Sequence, residues 1–162
     1  MNALCALLPL LAACTEPAPA SSAPPLIYES LASSGAVLSA EAARNLINGY
    51  RRNVGLTPLQ LDQDIMAEAA RQASAMARGG DVSKGARSDI TARLASAGLG
   101  QRQARESVSA GYFTISDAFS GWRGSPAHDA TLRFSSGKRM GIAAEHRAGS
   151  RHHVYWALII SD

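Results

Sequence analysis

Four histidines, two cysteines and 13 Asp and Glu residues are what this 162-residue chain offers to chemistry. Their spacing decides which chemistry is open. His152 and His153 look like a chelating pair, but adjacent residues on a strand point to opposite faces, so the two cannot hold one ion together. His146, across a hairpin from them, can meet one of the two and make an adventitious surface site. His128 follows Ser125 by three residues in Gly124-Ser125-Pro126-Ala127-His128. A serine directly before a proline is placed to cap a turn, and no serine or cysteine nucleophile is set by motif. The 16 Lys and Arg residues are scattered among the acidic ones for a net charge of +3, with no block of like sign. Nucleic-acid binding calls for a concentrated basic stripe, so no nucleic-acid partner is expected.

Cys5 and Cys14 both fall near the N-terminus. The apolar stretch around Cys5 is almost wholly Ala and Leu, broken by Pro9, and is too short for a membrane span of about 20 apolar residues. It reads as the core of a secretory signal, although no Lys or Arg precedes it as one does in the usual export signal. The stretch ends in Leu11-Ala12-Ala13-Cys14, a lipobox pattern in which small residues fit a peptidase groove and the cysteine thiol receives the lipid. The expectation is therefore a signal over residues 1–13, a lipidated Cys14 that partners the membrane, and a location at the bacterial cell envelope. The mature domain then keeps no thiol for a disulfide or a nucleophile. Residues 14–38 carry Pro17, Pro19, Pro24 and Pro25 among Ala and Ser, the composition of an extended tether. Leu26-Ile27-Tyr28 and Val37-Leu38 are apolar enough to fold back onto a domain.

A hydrophobic fraction of 46% with 18% charged residues excludes a wholly disordered chain, and the folded part spans residues 39–162. Ala43, Leu46, Ile47, Tyr50 and Val54 recur at helical steps between an N-cap at Ser39 and a stop at Gly55, with Arg44, Asn48, Arg51 and Arg52 on the other face. Asp62 caps a second helix whose buried stripe is Ile65, Ala69, Ala73 and Met76, ended by Gly79-Gly80. That stripe is mostly alanine, which predicts a close approach to its neighbour. Ser88 is expected to cap a third helix with Ile90, Leu94 and Ala97 inward, and Ser116 a fourth with Ala118, Phe119 and Trp122; a short strand over residues 106–110 lies between them. Residues 139–145 and 153–160 read as a hairpin around Arg147-Ala148-Gly149-Ser150. The second of these runs is apolar on both faces, so it belongs at the centre of its sheet with helices above and below. The order of elements predicts an α/β (α+β) fold, a three-layer α/β/α sandwich with a small antiparallel sheet. Trp122, Tyr155, Trp156 and Phe119 belong to its core.

Particular runs resemble the CAP superfamily, the cysteine-rich secretory proteins, antigen 5 and pathogenesis-related-1 proteins, in its bacterial SCP-like form. Asn48 and Arg51 with Gly55-Leu56-Thr57-Pro58-Leu59 and Asp62 look like that family's opening. Gly121-Trp122-Arg123-Gly124-Ser125-Pro126-Ala127-His128, Met140-Gly141-Ile142-Ala143 and Val154-Tyr155-Trp156-Ala157 follow in the family's order. The resemblance implies a cleft lined by two histidines and two acidic residues that holds a divalent metal, commonly zinc. Carried over, the later histidine is His128 and one acidic residue is Glu106, in Arg105-Glu106-Ser107-Val108. Lys84 stands at the position of the earlier histidine, and the other acidic position falls to Asp81 or Asp89.

A protonated lysine cannot ligate metal, so Lys84 disfavours zinc and is placed to pair with Glu106 instead. His128 and Glu106 are the candidate metal ligands and the candidate acid–base pair; the plainer reading is a cleft histidine hydrogen-bonded to a carboxylate. The expected function is a lipid-anchored, non-catalytic CAP-domain binding module for a small apolar or lipid ligand or an envelope partner. A peptidase-like hydrolase using His128 and Glu106, and a degenerate structural domain, are the alternatives.

Overall fold

A computed structural model describes residues 24–83, 89–100 and 102–162. Cys5, Cys14, the signal, part of the tether and Lys84 lie outside the described residues. Helix α1 (Ala40–Asn53) starts at Ser39, whose side chain accepts from the Ala42 amide. Asp62 caps α2 (Gln63–Gly79) through the amides of Asp64 and Ile65, and Gly80 ends it in the left-handed conformation at φ 64°. Helix α3 (Ile90–Ser96) has its N-cap at Asp89, whose carboxylate accepts from the amides of Thr91 and Ala92; the expected cap, Ser88, lies outside the described residues. Helix α4 (Ile115–Gly124) begins at Thr114 and not at Ser116. Thr114 accepts from the Asp117 amide while donating to its carboxylate, a reciprocal cap that the expected register missed.

Four strands form one sheet in the order β1–β3–β4–β2, with β1 at Gln60–Leu61, β2 at Ala104–Ala110, β3 at Arg139–His146 and β4 at Val154–Ser161. β4 pairs antiparallel with both β2 and β3. Its side chains alternate without exception: Val154, Trp156, Leu158 and Ile160 enter one core, while Tyr155, Ala157 and Ile159 enter the other. Both faces of this strand are therefore covered, as its unbroken apolar run requires. One helical layer is α1, α4 and α5 (Pro126–Leu132); the opposite layer is α2 with α3. The three-layer sandwich stands.

The alanine stripe of α2 does bring its backbone close to the sheet. A Cβ on Gly141 of β3 would run into the Ile65 carbonyl and the Met66 amide, so only glycine fits beneath that turn. Two elements depart from expectation. β1 is parallel to β3, so the sheet is not purely antiparallel, and two residues are too few to show a period. Helix α5 was read as a turn; Pro126 occupies its first position, and Ser125 takes the N-cap backbone without a side-chain bond.

The larger correction concerns α1. Asn48 and Arg51, assigned to its outer face, are buried. Asn48 clamps Leu59, donating to its carbonyl at 2.9 Å and accepting from its amide at 2.7 Å. Arg51 is 0% exposed. It donates to the carbonyls of Thr57 (2.9 Å), Leu132 (2.8 Å), Phe134 (3.0 Å) and Gly137 (3.3 Å), which ties α1 to the chain before β1 and after α5. Upstream, Leu31 is buried and its amide donates to Phe113, so part of the expected tether lies on the domain.

Candidate functional site

Strand β2 divides its side chains between the two faces of the sheet. Ser107 and Ser109 face α4 and α5, bonding His128 and Trp122. Val108 joins the core beneath α2, and Glu106 points the same way toward α2 and α3. Glu106 and Ser107, the partner of His128, are adjacent on β2 and point to opposite faces, so Glu106 meets Arg93 instead of His128.

Glu106 is held by a fork. Arg93 of α3 donates to both of its carboxylate oxygens, at 2.6 and 3.2 Å, the two-pronged geometry that makes guanidinium–carboxylate pairs strong. The same guanidinium donates through Nε to Glu68 of α2 at 2.8 Å, and Arg71 donates to the other Glu68 oxygen at 2.8 Å. Arg71, Glu68, Arg93 and Glu106 form one line of alternating charge. Burial raises the Glu106 carboxyl above its ordinary range, Arg93 opposes this, and the negative charge of Glu68 adds to it. Burial also pulls Arg93 down, but its bonds to Glu106 and then Glu68 outweigh this and hold it above the ordinary value.

This donor set does not fit zinc. Each Glu106 oxygen already accepts from Arg93, and a cation would have to enter beside a guanidinium that cannot lose its proton. Among the described residues no group of three or more metal-ligating side chains converges. Asp81 accepts from the Ser83 amide, and Asp89 caps α3.

His128 Nδ1 lies 3.2 Å from Ser107 Oγ. The distance would suit a nucleophile and its base, but Ser107 is 0% exposed and has no path to a substrate. Burial lowers the His128 pKa, favouring the neutral ring. At the hairpin end, His153 sits in the connecting loop at φ 59°, outside β4 where the sequence placed it. Strand alternation therefore does not set the directions of this pair. The rings separate anyway, His153 edge-on to Phe113 and His152 to Tyr155.

Sequence reasoning missed Glu68 and Arg93. One signal was available: Glu68 falls among the inward positions Ile65, Ala69 and Gln72 of α2, and a carboxylate on a buried face needs a cationic partner. A second surface feature is an open groove of about 370 Å³ between α1 and α4. Leu46, Gly49, Tyr50 and Phe119 line it, and Asn53 and Arg123 contribute polar groups. Tyr50 meets Phe119 edge-on at 5.8 Å and donates to Asp129 at 2.6 Å, while Arg123 lies over the Phe119 ring.

The fold is a mixed α/β sandwich around one four-stranded sheet, and residues 44–159 match the model of the cysteine-rich secretory protein family, CAP. The chain belongs to that family. Among solved structures it is similar to an outer surface protein of Borrelia burgdorferi, with a TM-score of 0.57 and 14% identity over 75% of this chain and 90% of that one. It is also similar to a cysteine-rich secretory protein from Staphylococcus aureus, at TM-score 0.56 and 19% identity over 75% of this chain and 37% of that one. An extracellular protein with an SCP domain from Bacillus anthracis gives 0.50 and 16%, over 75% and 39%. The chain thus matches little more than a third of the latter two proteins. No curated protein matches it in sequence.

Proposed function

We propose that this CAP domain is a binding module at the bacterial cell envelope, held to the membrane by lipid on Cys14, which takes a small apolar or lipid ligand or an envelope partner without turning it over. The observation that carries the reading is Arg93, which engages both Glu68 and Glu106. Both Glu106 oxygens accept from Arg93, and the Glu68 oxygens accept from Arg93 and Arg71, so neither carboxylate turns a free oxygen to a substrate; His128 bonds a buried serine, with no carboxylate paired to it among the described residues. The groove between α1 and α4 supports the ligand class, since aromatic and aliphatic walls with a guanidinium at one side suit an amphiphile with an anionic head.

Titration with a fluorescent fatty acid tests the proposal. Saturable binding is expected, and Gly49→Phe should weaken it at least tenfold, because a side chain there meets no atom within 4 Å and projects into the groove. Peptide or ester hydrolysis abolished by His128→Ala would overturn it. For the anchor, mass spectrometry of the membrane fraction should find an acylated Cys14, and an unmodified N-terminus at Met1 would refute the lipid.

A further inference from the structure

The face that carries Arg93 has a groove of its own, remote in the fold from the one between α1 and α4. Two open depressions of about 580 and 660 Å³ share Glu68, Arg71 and Arg93 and run together along the flank of α2 beside α3. Arg78 lies further along, seven residues beyond Arg71 on the same side of the helix, about 10 Å at the helical rise. Between them sits Ser74, which accepts from Arg78. The walls are alanines, Ala70 and Ala75 on α2 and Ala92 on α3.

Charge along this groove is lopsided. Glu68 faces it but is matched by two guanidiniums, and Glu106 by Arg93. Arg71 is 58% exposed and has donors beyond those given to Glu68; Arg78 is exposed and bonds a neutral hydroxyl. A cation finds no unmatched carboxylate here, whereas an anion finds two guanidiniums with donors to spare and fixed spacing. The small alanine walls leave room for a chain to lie along α2 between the two guanidiniums.

We infer that the α2–α3 groove binds an extended, carboxylate-bearing peptide, with Arg71 and Arg78 each taking an acidic group. The inference does not depend on the apolar-ligand reading, which concerns the opposite face. Guanidinium–carboxylate contacts of this kind also predict a strong dependence on salt.

Fluorescence anisotropy with fluorescein-labelled hexaglutamate tests it on the full chain. Saturable binding is expected in low salt, weakening steeply as salt is added. The double variant Arg71→Gln/Arg78→Gln should bind at least tenfold more weakly, with Arg78→Gln alone giving a smaller loss and an unchanged melting curve. Arg147→Gln/Arg151→Gln at the hairpin end and Gly49→Phe in the other groove should leave hexaglutamate binding as it was. The inference is overturned if hexaglutamate fails to bind, if the groove variants bind as tightly as the parent, or if the hairpin variant loses as much. Binding of inorganic polyphosphate without hexaglutamate would overturn the peptide assignment.

Discussion

Arg51 and Arg93 are both arginines set into a helix-to-sheet packing, and they are put to different uses. Arg51 is fully buried, and every acceptor it meets is a backbone carbonyl. No carboxylate pairs with it among the described residues, and burial alone lowers its pKa. Arg93 keeps 21% of its side chain exposed and meets two carboxylates from two other elements. The first donates to main-chain oxygens of the segments before β1 and after α5 and so joins them, which makes it part of the fold. The second gathers acidic groups beside an open groove, on the surface for which we propose a peptide ligand.

The largest effect that can break this comparison is Arg51→Met. Three buried carbonyls and the part-buried one of Thr57 lose a donor, so a loss of about 4 kcal/mol is expected in urea denaturation. Arg51→Lys should recover little of it, since one ammonium cannot fork to segments on different sides. A cost below about 1 kcal/mol would show that the carbonyls find water and that Arg51 is no staple. Arg93→Met comes next, at about 3 kcal/mol, because it strands the mostly buried Glu106 and leaves Glu68 with Arg71 alone. Adding Glu68→Gln and Glu106→Gln should restore most of that loss by removing the stranded charge. Arg51 allows no such rescue, its acceptors being backbone, and the contrast between the two rescue experiments is the sharpest form of the comparison.

The smallest effect belongs to His128. Its folded pKa is lowered, so the unfolded chain takes up a proton at a higher pH than the folded one. The stability tied to the neutral ring is complete above the ordinary value of 6.5 and is lost as pH falls through that value toward the lower folded one. His128→Gln should therefore flatten the pH dependence of stability between about pH 7 and pH 5, by about 1 kcal/mol or less. A slope unchanged by the substitution would place the titrating group elsewhere.

Much of the fold was legible because its signals are local. The stripe of α2, the caps at Ser39 and Asp62 and the two-sided apolar run of β4 are each written within a few residues. β1 and α5 were not, one being too short for a period and the other opening on a proline that reads equally as a turn. The charged groups were the least legible. A helical wheel sends Asn48 and Arg51 outward, yet Asn48 reaches a residue 11 positions away and Arg51 one 86 positions away. Glu106 and His128 stand out in the sequence by their place in the family's motifs, but their partners, Arg93 and Ser107, follow from how α3 and α5 dock against opposite faces of β2.

The sequence by itself determined all the elements but β1 and α5, their order and the sandwich they make, because periodicity and capping depend on neighbours along the chain. Only the tertiary structure decided which arginine is a staple and which lines a site. A guanidinium reaches several ångströms past its backbone, and the acceptors that fix its role come from distant segments, as with Glu68 and Arg93, 25 residues apart.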